Sequence, residues 1–352
     1  MAKRVILGTQ DRFLHLEGLN ATPMPWEDGQ RASTERGSFE WWYFDGVFED
    51  GVTCVTIFQT KPLTRLNGPL APIVDMGITT SDGIKRSCSL RPTPQEVRFS
   101  KEQCDLRFGD AWAKGDLRRY KMEVTSQDHT LAARLNFEGI VPPWRPGAGK
   151  NYYSEDLKKY FGWIVPIPYG SVEGYLTYDG NTRRVHGFGY HDHNWGNVAL
   201  QHVMDHWFWG RTHIGDFSVI FIVETAAKAY GYQKIPVLML AKGEHILISN
   251  GDPLLLQTDD HVNHASGRRY PRSLDFHWQS GEDTMHIKLR QPQILEAISL
   301  LYFLPEWQQK LARLLVNPYY FRFRAQMELS VHLAGLEAKE NGEAVYELMM
   351  LH

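Results

Sequence analysis

The chain carries one short passage twice, once in each half. Glu40-Trp41-Trp42-Tyr43-Phe44, the turn Glu49-Asp50-Gly51 and the apolar run Val52 to Phe58 can be laid without gaps on a later segment. That segment is Asp205-His206-Trp207-Phe208-Trp209, then Ile214-Gly215-Asp216, then Phe217 to Val223. An acid, an aromatic pair, a turn and an apolar strand recur in one order. Two related β-domains, each opening on an aromatic first strand, would leave this trace. At 352 residues the chain is also longer than a single hydrophobic core usually serves.

The rest of the pattern is mostly β. Val52 to Gln59 and Phe217 to Val223 are β-branched and aromatic runs, and Gly174 to Thr182 contains the hairpin signal Asp179-Gly180. Further turn signals stand at Ser81-Asp82-Gly83, Ser249 to Asp252 and Asn341-Gly342. Many short strands punctuated this way indicate barrels or sandwiches. Helix is expected in two places. Ser154 to Tyr160 begins with a capping serine and acidic residues. Gln293 to Leu304 and Pro305 to Val316 read as a helical pair, with Pro305 opening the second and Trp307, Leu311, Leu314 and Leu315 forming its apolar stripe. That insert reads as a helix packed across a barrel mouth, with a lid for an apolar ligand or a peripheral membrane contact as the functional readings.

Composition narrows the partners. A formal net charge of −3 leaves no basic footprint for nucleic acid. No stretch reaches the ~18 apolar residues of a membrane span, and the apolar run after Lys3-Arg4 is too short for a signal peptide. Cys54, Cys88 and Cys104 form no C-x-x-C pair, which suits a reduced, cytoplasmic protein with inert thiols. The sequence leaves the oligomeric state open.

Chemistry concentrates around Tyr190-His191-Asp192-His193-Asn194-Trp195-Gly196. Between His186 and His213 fall six of the 15 histidines, together with Trp195, Trp207 and Trp209. Histidines titrate near neutrality, and indole faces hold apolar or cationic groups. On a strand His191 and His193 share one face, with Asp192 on the other. If helical, His202 and His206 share a face as well, and the two pairs could ligate zinc, although no H-E-x-x-H or cysteine pair supports this. We therefore expect no metal and no cofactor. Asp192 with His193 reads as the proton-handling pair, with His191, His206 and Glu40 as further acid-base candidates and Glu173 and Asp45 as weaker acids. Trp195, Trp207, Trp209, Trp42, Tyr43 and Tyr190 read as the wall of an apolar cavity. Each has a bland counterpart: a hydrogen-bonded structural histidine, a stacked aromatic core, or an ion pair of Glu40 with Arg36.

Taken in order, Glu40 to Phe44, Tyr152-Tyr153-Ser154, Gly187 to Gly196 and Trp207-Phe208-Trp209 resemble the tandem lipocalin-like family that contains carotenoid 1,2-hydratase (hydroxyneurosporene synthase). Its relatives include natural-product cyclases. The resemblance implies two calycin-like β-barrels with a hydrophobic cavity near the domain junction. It also implies a reaction in which an acid protonates an alkene and water quenches the cation. The family's motif histidine and tryptophan fall on His193 and Trp195, with Asp192 before them; the Tyr190-His191 lead-in departs from the hydratase pattern.

The expected protein is thus all-β, with an N-terminal extension (1–35), two lipocalin-like domains (36–190 and 191–352) and a helical insert (293–316). It hydrates or cyclises a hydrophobic polyene, terpenoid or polyketide-like molecule. A non-catalytic carrier of an apolar ligand and a zinc hydrolase built on His191, His193 and His206 are the alternatives.

Overall fold

The structure is a computed structural model and describes residues 3–301 and 317–352. Two compact units divide between Ala199 and Leu200. The 190/191 border expected from sequence would have cut the strand Asn181–Gly196, which lies whole in the first unit. Residues 6–35, read from sequence as an extension, belong to that unit too.

Each unit is an antiparallel meander whose first and last strands pair. In the first unit the path runs Lys85–Leu90, Ile73–Thr79, Thr53–Gln59, Phe39–Phe48, then across to Asn181–Gly196. It continues through Tyr160–Tyr178, Ala132–Gly139, Arg119–Thr125, Ala111–Gly115, Asp105–Phe108 and Val97–Phe99. In the second unit it runs His245–Ile248, Lys234–Lys242, Phe217–Ala226, Met204–Ile214, then across to Leu336–Met350. Tyr319–Leu333, Asp283–Ser299, Arg269–Ser280 and Leu255–Asn263 complete it. Both paths end on the fourth strand one way and the fifth the other, so the repeat read from the aromatic motif extends to the strand order. This is the lipocalin-like, all-β architecture expected.

Alternation explains the strands. Along Thr53–Gln59 every second residue is buried, with Cys54, Thr56 and Phe58 inside. Phe217–Ala226 is buried throughout, as a central strand covered on both faces must be. The first core gathers Trp42, Phe44, Phe58, Tyr120 and Phe137. The second gathers Phe208, Phe221, Phe276, Phe323 and Tyr346. The two aromatic motifs differ in frame: Trp42 and Phe44 point inward in the first, whereas in the second Phe208 points inward between half-buried Trp207 and Trp209. The hairpin at Asp179-Gly180 forms as expected, both residues in the left-handed region.

Three helical expectations are corrected. Gln293 to Ser299 is strand, held by the long strand Tyr319–Leu333 from Ser299↔Tyr319 to Gln293↔Arg324 with one register shift, between Ile294 and Glu296; tertiary pairing overrides local propensity here. The remainder, residues 302–316, lies outside the described residues. Ser154 to Tyr160 forms only a turn. Leu157 takes a positive φ of 60°, and the Ser154 hydroxyl serves Asp156 and Lys159 instead of a continuing helix. His202 and His206 share no helical face, because the helix Leu200–Val203 gives way to strand at Met204.

At Gly187 and Gly189 the motif strand leaves no room for a side chain against its partner. A Cβ would meet the Val47 carbonyl oxygen at 2.1 Å from Gly187 and that of Asp45 at 2.3 Å from Gly189. Gly189→Ala is therefore expected to destabilise the protein by about 1–3 kcal/mol, read as a lower urea midpoint with unchanged m. An unchanged midpoint would show that the strands separate freely there.

Candidate active site

Two polar clusters sit back to back on the strand Asn181–Gly196, because successive side chains point to opposite faces. Opposite it on Phe39–Phe48, Phe44 pairs with His191, Tyr43 with Asp192 and Trp42 with His193.

The inner cluster is a fully buried chain of charges. His193 Nε2 donates to Glu40 Oε1 at 2.8 Å, and its Nδ1 lies 3.3 Å from Asp28 Oδ1. That second approach is an ion pair without hydrogen-bond alignment: neither Asp28 Oδ1 nor His193 Nδ1 has a hydrogen-bond partner among the described residues. Asp28 Oδ2 accepts the Tyr120 hydroxyl at 2.6 Å and meets His191 Nε2 at 3.1 Å. His191 Nδ1 faces the Tyr43 carbonyl at 2.8 Å. Glu40 also accepts the backbone N–H groups of Arg31 (2.6 Å) and Ala32 (3.2 Å), and Trp42 Nε1 donates to the Asp28 carbonyl at 3.1 Å. The indole of Trp42 stacks on His193 at 4.4 Å and 16°, while the phenyl ring of Phe44 stacks on His191 at 3.9 Å and 6°. Burial alone would raise the Asp28 pKa, but His191 and His193 outweigh it and hold the carboxyl down to about 2. Burial disfavours a charged His193, yet the Asp28 and Glu40 carboxylates prevail and raise its pKa. Trp195 lies tilted over the same ring at 5.0 Å.

The outer cluster centres on Asp192. Its Oδ2 accepts the Tyr190 hydroxyl (2.8 Å) and Trp163 Nε1 (3.2 Å), and its Oδ1 accepts Asn194 Nδ2 (2.8 Å). Burial pushes its pKa up to about 6, and the hydrogen bonds from Tyr190 and Trp163 offset only part of that push. Beside it the Tyr43 hydroxyl donates to Asp45 Oδ2 at 3.0 Å, and the Tyr43 and Tyr190 rings meet edge-on at 6.1 Å.

The structure thus separates Asp192 from His193, the two groups taken together as one pair. His193, His191, Glu40, Trp42 and Trp195 share the inner face; Asp192, Tyr190 and Tyr43 share the outer one. His206, Trp207 and Trp209 belong to the second unit, where His206 bonds Asp205 at 2.6 Å and Thr225 at 3.1 Å. Burial lowers its pKa.

Asp28 and Tyr120 were not singled out from sequence; Asn194 was given no role, and Trp163, read as part of an aromatic loop over a pocket, lies in the strand Tyr160–Tyr178. Asp28 sits in the short 3-10 turn Pro25–Asp28, where nothing periodic marks it. The one hint was electrostatic, since buried histidines beside a single glutamate ask for another carboxylate. Among the described residues, the group able to grasp a metal ion is Asp28, Cys104 and His191, whose ligand atoms lie within 4.8 Å of one another. It is not the histidine set of the zinc hydrolase reading. The other cysteine chemistry is quiet, burial raising the Cys54 thiol to about 12.

Two meanders of one strand order, one of them enclosing a buried acid-histidine chain, define a lipocalin-like protein built from two related β-units. The chain belongs to the Svf1 family, whose sequence profile matches residues 81–351. It is 25% identical over 203 residues to a quinolone epoxide rearrangement protein of Penicillium thymicola, a match covering 52% of this chain and 54% of the relative. It is 26% identical over 225 residues to a hydroxyneurosporene dehydrogenase of Chlorobaculum tepidum, covering 53% and 56%. The chain thus spans about half the length of the curated relatives it matches. The crystal structure of kievitone hydratase from Nectria haematococca shares the fold, with a TM-score of 0.58, 14% identity and 94% of each chain covered. The motif resemblance to carotenoid-hydratase-type proteins and cyclases is met by these relatives. No described helix is long and apolar enough to cross a membrane.

Proposed function

We propose that the protein is a cofactor-independent enzyme that hydrates or cyclises a hydrophobic polyene, terpenoid or polyketide-like molecule, with Asp192 as the acid. The observation that carries this reading is the Asp192 carboxyl: buried, held by three donors and raised to about 6, it keeps a proton at mildly acidic pH and releases it near neutrality. The aromatic groups around it, Trp163, Tyr190 and Tyr43, suit a developing carbocation. In this reading His193 and Glu40 hold the strand in place from the inner face. The relatives act in the same spirit, one named for an epoxide rearrangement and another for a hydration.

The test is organic extraction and mass spectrometry of the purified wild-type protein and of Asp192→Asn. The expected result is an apolar small molecule from both, carrying one added water or a new ring in the wild type and unreacted in the variant. The same unaltered molecule from both proteins would make this a carrier. No such molecule from either would sink the reading.

A further inference from the structure

Two histidines of the inner cluster turn their spare nitrogens to one carboxyl. The Tyr43 carbonyl can only accept, so His191 Nδ1 carries the proton of that 2.8 Å contact. His193 Nε2 likewise donates to Glu40 Oε1 at 2.8 Å. The remaining nitrogens, His191 Nε2 and His193 Nδ1, both face Asp28, at 3.1 Å and 3.3 Å. Neutral rings would set two lone pairs against a carboxylate. Two charged rings should instead hydrogen-bond it. Yet His193 Nδ1 and Asp28 Oδ1 have no such partner among the described residues, although both side chains are shut off from water. Ligands that converge on an ion, and not on each other, leave this trace. Cys104 adds a thiol, buried just ahead of the strand Asp105–Phe108. One donor atom each of Asp28, Cys104 and His191 lies within 4.8 Å of the others.

We propose that Asp28, Cys104, His191 and His193 form a structural site for a zinc-like divalent cation. It would fasten the motif strand to the turn Pro25–Asp28 and to the start of Asp105–Phe108. Ligand atoms around tetrahedral zinc stand about 3–4 Å apart, close to the separations at Asp28. Sulfur and nitrogen donors favour zinc over magnesium or calcium, which take oxygen. Charge balances: the Cys104 thiol gives up its proton on binding, and its thiolate and the Asp28 carboxylate together neutralise the ion. The surrounding contacts suit ligands. A metal-bound histidine passes its other N–H to a carbonyl or carboxylate, as His191 does to Tyr43 and His193 to Glu40. The Tyr120 hydroxyl fixes the Asp28 carboxylate at 2.6 Å in the same way. In protein without the ion, protons take its place. Asp192 points to the opposite face of the strand, so the ion braces the fold and takes no part in the chemistry proposed there.

The probes are zinc and cobalt themselves. The protein is expressed in medium supplemented with one or the other and desalted, and the metal in each chain is counted by elemental mass spectrometry. Wild type should hold one ion, and the cobalt form should show a sulfur-to-cobalt charge-transfer band. Cys104→Ala should lose both ion and band. Should that variant fail to fold, Cys54→Ala combined with Cys88→Ala removes the other two thiols, and a band that persists belongs to Cys104. Folded wild type without stoichiometric metal overturns the proposal. So does metal without a sulfur band, metal content unchanged in Cys104→Ala, or a band that disappears with Cys54 and Cys88. None of these outcomes touches Asp192 as the acid.

Discussion

Asp28→Asn should cost about 3–5 kcal/mol of stability, because it takes the counter-charge from a buried histidine pair while leaving the ring nitrogens in place. Asp28 is fully buried, with Tyr120, His191 and His193 on its carboxyl and Trp42 on its carbonyl. The effect has a pH signature. The folded pKa of about 2 lies below the ordinary 3.8, so this carboxyl adds stability that is fully present above pH 4 and is lost as pH falls towards 2. The size of that acid-side loss is about 2 kcal/mol. His193 has the opposite sense: its raised pKa adds stability below about 6.5 that is lost as pH rises through its folded value. Urea unfolding of wild type and variant from pH 2 to 8 reads both limbs. In Asp28→Asn the acid limb should flatten. A loss under about 1 kcal/mol would mean that the inner cluster is solvated or relaxes freely, and that it does not lock the motif strand.

Asp192→Asn should do the reverse to stability while abolishing turnover. A carboxyl whose folded pKa is raised from 3.8 to about 6 destabilises the fold progressively as pH rises through that interval. At pH 8 the cost is about 3 kcal/mol, and a neutral amide avoids it. Asparagine cannot accept all three donors equally, so the net gain is expected at about 1–3 kcal/mol at pH 8, shrinking to nothing below pH 4. Conversion of the bound compound should fall by about 10²–10⁴ with binding kept. A residue kept at the expense of stability is the mark of a working group. A variant that is both inactive and less stable at pH 8 would instead make Asp192 a structural member of the sheet.

Much of this was legible in the sequence, and the residues show where legibility stopped. The paired aromatic motif and the Asp179-Gly180 hairpin are local signals, and both appear in the strand order. Strand alternation already placed His191 and His193 on one face and Asp192 on the other. Pairing Asp192 with His193 as one catalytic unit overrode that geometry, and the structure separates them. Asp28 was invisible because its partners lie up to 165 residues away and no periodicity announces it. Gln293 to Ser299 misled for a related reason: its partner strand begins only at Tyr319, and a window reading cannot see across the gap. Asp45 was noticed as an acid, but its place opposite Tyr190 depends on strand register, which the sequence does not display.

The pairing of first with last strand in each meander also sets an order of assembly. Phe39–Phe48 is made early, yet its neighbour Asn181–Gly196 leaves the ribosome some 140 residues later. Until then the edge carrying Glu40, Trp42, Tyr43 and Asp45 has no partner on that side, and both polar clusters lack their histidines and Asp192. Closure over so long a loop is slow, and an unpaired edge is exposed to wrong pairings meanwhile. The second unit repeats the problem, since Met204–Ile214 waits for Leu336–Met350. Nascent chains halted before either closing strand would thus carry an open aromatic edge, the state in which a chaperone would find most to hold.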